Sequence, residues 1–117
     1  MSLWRQTIDF ALDHETRRQM EEQLAWIGRE PGNPRPYYHL AQFYRMNGRA
    51  DEALGLLLEA VRLDPGFADA HVSLAEIYAI RGDDAAAERH ARVAAENGNG
   101  QAAEMLGRHR GRPTLLP

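Results

Sequence analysis

The chain has 117 residues with 14 basic and 17 acidic side chains, a formal net charge of −3, and a length that suits one compact domain. That balance argues against the basic face of a nucleic-acid binder and against a polybasic membrane-surface patch. There is no cysteine, which excludes disulfides, thiolate nucleophiles and cysteine-ligated zinc, and every basic residue is arginine, which excludes Schiff-base lysine chemistry.

The opening MSLWRQTIDF lacks the basic-then-apolar order of a signal peptide. No apolar run approaches the roughly 18 residues of a membrane span. A cytoplasmic location is the expectation. Trp4, Thr7, Ile8 and Ala11 fall at helical spacing, as do Met20, Leu24 and Ile27. DHET (13–16) separates the two stripes, with Asp13 placed to cap the second. Residues 1–33 therefore read as a diverged helical hairpin.

From residue 34 the pattern sharpens. Tyr37, Leu40, Ala41 and Tyr44 stand at i, i+3, i+4, i+7, one apolar stripe of a helix that Gly48 stops. Ala53, Leu57, Ala60 and Val61 form the stripe of a second helix, with Asp51 and Glu52 in its first turn and Pro65 beyond its end. The scheme then repeats. His71, Leu74, Ala75 and Tyr78 take the same offsets before Gly82, and Ala87, Ala91, Ala94 and Ala95 share a face of the next helix. At a shift of 34 residues Leu40 meets Leu74, Ala41 meets Ala75, Tyr44 meets Tyr78, Gly48 meets Gly82, Ala53 meets Ala87 and Ala60 meets Ala94. Gly32, Gly66 and Gly100 mark the seams at the same period. After residue 101, QAAEMLGRH predicts one short helix, ended by Gly107, Gly111 and Pro113, with RPTLLP as a tail.

This order of residues resembles the tetratricopeptide repeat, carried by Tyr37, Leu40, Ala41, Tyr44, Gly48, Ala53, Leu57, Ala60 and Pro65. The second copy departs from the pattern in having His71 as its anchor and Asn99 where proline is usual. The resemblance implies an all-α fold, a right-handed superhelix (solenoid) of antiparallel helical hairpins. A single domain over 1–117 would comprise a degenerate capping hairpin (1–33), repeats at 34–67 and 68–101, and a short cap helix with its tail (102–117). One hairpin cannot bury both of its apolar stripes, so neighbours must stack to cover them.

No catalytic constellation stands out. His14, His39, His71, His90 and His109 include no pair at i, i+4 flanking a glutamate. His71 occupies a packing position, and His39 reads as a surface hydrogen-bonding residue. NGNGQ (97–101) lacks the preceding strand and following lysine of a phosphate loop. Asp51, Glu52, Asp83 and Asp84 lie at helix starts, where capping explains them. The expectation is a protein that is not an enzyme and takes no cofactor and no metal.

Each first helix has a second stripe. In the first copy it holds Arg35, Tyr38, His39, Gln42, Arg45 and Met46; in the second, Asp69, Val72, Ser73, Glu76, Ala79 and Ile80. The resemblance implies that these stripes line a concave groove that receives a peptide or helical segment. Apolar groups interleaved with charge suit such a contact surface. Tyr38, Gln42 and Ser73 replace the lysine and asparagines of the chaperone-binding carboxylate clamp, so an EEVD-type C-terminus is not the expected ligand. Arg35 and Arg45 against Asp69 and Glu76 suit a ligand of mixed charge. The leading expectation is a protein-interaction module, an adaptor or scaffold with a protein or peptide partner and neither nucleic acid nor membrane. Two others stand beside it: a structural protein that self-assembles into a homo-oligomer through Trp4, Phe10, Leu54 and Leu58, and a helical accessory domain of a larger enzyme or regulator.

Overall fold

The computed structural model describes residues 13–110. The stripe expected at Trp4, Thr7, Ile8 and Ala11, the expected contact residue Phe10, the helix breakers Gly111 and Pro113 and the RPTLLP tail lie outside the described residues. Among the described residues there are six helices and no strand: α1 (His14–Arg29), α2 (Pro34–Met46), α3 (Ala50–Leu63), α4 (Ala68–Ile80), α5 (Asp84–Glu96) and α6 (Gln101–Arg110). The chain is all-α, and its internal contacts divide it into two compact units, residues 1–64 and 65–117.

In the first unit α1 packs on α2, and α2 packs on α3. Asp13 starts α1 by accepting the N–H groups of Glu15 and Thr16, which satisfies two of the orphan donors of the first turn. Only Asp13 of the DHET stretch lies outside the helix, because one capping residue suffices to begin it. Asn33 does the same for α2, accepting from the Arg35 N–H at 3.0 Å, and Pro34 follows where a missing N–H costs nothing. Leu40, Ala41 and Tyr44 from α2 and Ala53, Leu56, Leu57 and Ala60 from α3 are fully buried, with Met20 of α1. Alanines at 41, 53 and 60 let the helix backbones approach, and the large side chains fill what remains.

In the second unit α4 and α5 form the equivalent hairpin, and α6 packs on both. Val72, Ala75, Ala91, Ala94 and Ala102 form its apolar cluster, with Ala68 and Leu106 packed against it. Ala87, Ala91 and Ala94 are buried as the spacing predicts, but Ala95 is exposed. The buried stripe of α5 is turned toward Ala86 and His90 and away from Ala95. The same rotation occurs in α3, where Leu56 is buried and Val61 only half-buried. Equivalent helices of the two repeats thus share a small rotation that the four-residue stripes do not capture.

Three hairpin turns are built alike. Gly48 (φ 74°), Gly82 (φ 82°) and Gly98 (φ 98°) adopt left-handed backbone. The Gly48 N–H donates to the Arg45 carbonyl at 3.1 Å and the Arg49 N–H to that of Tyr44 at 2.9 Å. Gly82 and Asp83 repeat this pair onto Ala79 and Tyr78, and Gly98 and Asn99 onto Ala95 and Ala94. This is the Schellman closure, which needs a residue without a Cβ penalty at the left-handed position. The evenly spaced Gly32, Gly66 and Gly100 are not at positive φ. Gly107 does not end α6, which runs on to Arg110. A glycine inside a helix costs roughly 1 kcal/mol but does not force a break.

Candidate functional site

The outward stripe of α2 is a continuous face. Arg35 and His39 are exposed, Tyr38, Gln42 and Arg45 are half-buried, and Met46 is 71% exposed. Trp26 of α1 joins it. Its ring stacks against His39 with centroids 6.4 Å apart and planes 23° apart, and Tyr38 meets His39 edge-on at 5.4 Å. Although His39 is exposed overall, partial desolvation of its imidazole against these rings lowers its pKa, and the charge of Arg35 acts in the same direction. Hydrogen bonds from Asn33 and then Trp26 hold the Glu30 carboxyl below its ordinary value, so the indole is oriented as well as stacked. The first unit therefore presents an aromatic cluster bordered by arginine and a flexible methionine. The sequence pattern misses Trp26, because it falls off the Met20–Leu24–Ile27 stripe and nothing local says that α2 meets it.

The corresponding face of α4 is different. Asp69 and Ile80 are exposed, Ile80 to 83%, while Glu76 and Ala79 are half-buried. Val72 is only 7% exposed and Ser73 only 4%. The expectation that Val72 is an exposed apolar contact is therefore corrected: α6 lies over it through Ala102 and Leu106. Ser73 goes with it, because α4 is buried at every position from Ala70 to Ala75, as suits a helix that is apolar nearly all round. One carboxylate oxygen of Asp69 accepts from the Asn99 side chain at 3.0 Å, which ties the start of α4 to the loop before α6.

A second polar arrangement lies inside the α4–α5 hairpin. His71 is 6% exposed. Its Nε2 lies 2.8 Å from the Pro65 carbonyl oxygen, and its Nδ1 lies 2.9 Å from Nδ1 of His90 on α5. Tyr78 stacks on His90 with centroids 5.5 Å apart and planes 5° apart. In the first repeat the Tyr37 hydroxyl donates to the Pro31 carbonyl at 3.0 Å, so residues 34 apart tie the same seam by different chemistry. Burial, followed by the neighbouring His71 and Arg89, pushes the His90 pKa down to about 4.

An open, mainly apolar cleft of about 360 Å³ lies between α5 and α6, beside Ala91, Ala95 and Leu106. Among the described residues there is no group of three or more histidine, cysteine, aspartate or glutamate side chains able to hold a metal ion. No helix among them is long and apolar enough to cross a membrane.

The paired hairpins, their shared glycine closures and the buried alanines agree with a comparison against known families, in which the model of the tetratricopeptide repeat matches residues 34–77. This match over residues 34–77, together with the hairpins, supports a tetratricopeptide-repeat family protein. Among curated proteins it is 41% identical over 64 residues to the TPR repeat-containing thioredoxin TTL4 of Arabidopsis thaliana, a match covering 55% of this chain and 9% of that protein. The chain thus spans only a small part of that relative's length. Tetratricopeptide repeats are helical-solenoid modules for protein–protein interaction and are typically non-catalytic.

Proposed function

We propose that this tetratricopeptide-repeat chain is a non-enzymatic adaptor whose first-helix faces receive a peptide or helical segment of a protein partner. The observation that carries this reading is the α2 face. There Tyr38, His39 and Trp26 form an aromatic cluster beside Arg35, and Met46 projects 71% exposed. Aromatic, methionine and arginine side chains are the types enriched at protein interfaces. On α4 the contact set is narrower: Asp69, Glu76 and Ile80, with Val72 and Ser73 serving the core. Arg35 and Arg45 suit an acidic segment of a ligand at the α2 face, and Asp69 and Glu76 suit a basic segment at the α4 face. The right-handed superhelix and the single-domain arrangement over 1–117 belong to this reading.

The similarity to a protein named as a thioredoxin does not bring thiol chemistry here, because this chain has no cysteine to carry it. It does favour a second reading, a helical accessory region working beside another domain. The test is an affinity pull-down comparing wild type with a Tyr38→Ala, Gln42→Ala, Glu76→Ala triple variant. A partner held by wild type and lost by the variant supports the face; a partner held equally by both overturns it. Arg35→Glu with Arg45→Glu should abolish binding of a ligand whose acidic part sits on α2, and unchanged affinity removes the mixed-charge assignment.

A further inference from the structure

The His71–His90 contact has no counterpart in the first repeat. At a shift of 34 residues His71 corresponds to Tyr37 and His90 to Leu56. Tyr37 and Leu56 pack as an aromatic and an aliphatic group, both buried. The second repeat places two imidazoles in the same two slots and joins them nitrogen to nitrogen at 2.9 Å. Both positions differ between the two repeats, and in the second repeat they touch.

The protons can be placed from the partners. A carbonyl oxygen only accepts, so the Pro65 oxygen at 2.8 Å requires His71 to carry its proton on Nε2. The Nδ1 of neutral His71 is then a lone pair, and the Nδ1 of His90 must donate to it. The closed pair holds one proton in the shared contact and one at Pro65. One further proton can enter at Nε2 of His90. A second cannot, because the only remaining basic atom of His71 is the Nδ1 that faces the His90 N–H. The titratable and charged groups that bear on His90 are His71 and Arg89, with Tyr78 stacked on its ring from α4. None of them is an acid that would offset a charge there.

We propose that the His71–His90 pair is an acid-sensitive latch between α4 and α5, closed while the pair is neutral and opened when both imidazoles are charged. The proposal stands independently of the partner-binding reading. Its consequence is a proton count. An opened hairpin leaves two histidines with ordinary pKa values near 6.5, whereas the closed pair accommodates at most one added proton. Opening therefore takes up at least one proton, so below about pH 6 the opened population rises at least about tenfold per pH unit, and nearer a hundredfold while the closed pair stays neutral. The sign agrees with the lowered value of about 4 at His90: stability is intact above pH 6.5 and is lost as pH falls toward 4.

Two measurements on the full chain test this. The first is urea unfolding between pH 7.5 and pH 5 for wild type and for the His71→Tyr, His90→Leu double variant, which restores the residues of the first repeat. The wild-type midpoint should fall by on the order of 1 M more than that of the variant. Equal falls in the two proteins would overturn the latch. The second needs no variant: imidazole nitrogen spectra of wild type at pH 7 should show the Nε2–H tautomer for His71 and the Nδ1–H tautomer for His90. The reverse tautomers, or a charged ring at either position, would overturn it even if the double variant does not fold.

Discussion

At residue 82 the backbone turns through φ 82°, and the next residue's N–H reaches back to Tyr78. An alanine there meets no neighbouring atom, so any cost is purely conformational. Gly82→Ala should destabilise the chain by about 1–2 kcal/mol, the usual penalty for a Cβ in left-handed backbone. Gly28→Ala should act oppositely. Gly28 lies inside α1 with open space at its Cβ, so alanine should stabilise by about 0.5–1 kcal/mol. Chemical denaturation of both variants beside wild type checks the pair of signs. The same contrast explains what the sequence made legible at this scale. Gly48 and Gly82 could be read as helix stops because each follows an apolar stripe. Gly32, Gly66 and Gly100 were equally regular, yet regularity alone does not say which glycine carries a positive φ.

The second helix of each repeat is where periodicity gave the right element and a slightly wrong face. Leu56 is fully buried in α3, whereas Val61 keeps partial exposure. Leu56→Ala should cost about 2–5 kcal/mol through lost burial and the cavity it leaves. Val61→Ala should cost a fraction of that, and unfolding midpoints will rank the two. An equal loss would mean that the face expected from the spacing is the buried one after all. The equivalent position in α5 is His90, which the sequence offered only as one of five histidines without a metal motif. Its partner His71 could be assigned to a packing site from the repeat alignment. The contact between them could not, because it depends on the rotation of α5 that also sends Ala95 outward. At the α4 face, Val72 and Ser73 looked like contact residues only while the position of α6 was unknown.

For the whole molecule, the repeat was the most legible property, since it rests on paired positions 34 residues apart rather than on any one residue. The proposed contact face was half legible: the α2 stripe is exposed or half-buried, while the α4 stripe divides between surface and core. The self-assembly reading keeps Leu58, 41% exposed on α3, and half-buried Leu54, whereas Trp4 and Phe10 lie outside the described residues. Light scattering at micromolar concentration should return the mass of a single chain if the adaptor reading is right. A stable dimer that Leu58→Glu dissolves would move the balance to self-assembly.

The seam bond from Tyr37 to the Pro31 carbonyl sets a rule for how such a chain can change length. The donor lies six residues after its acceptor, and the Schellman closure at Gly48 lies at a fixed distance beyond that. Inserting one residue between Pro31 and Tyr37 would carry the hydroxyl away from its carbonyl and turn the apolar stripe of α2 by about 100°. Inserting a full copy would bring its own proline, anchor and glycine and disturb neither. Mutational drift by single insertions is thereby penalised, and growth by duplication of entire units is left as the tolerated route.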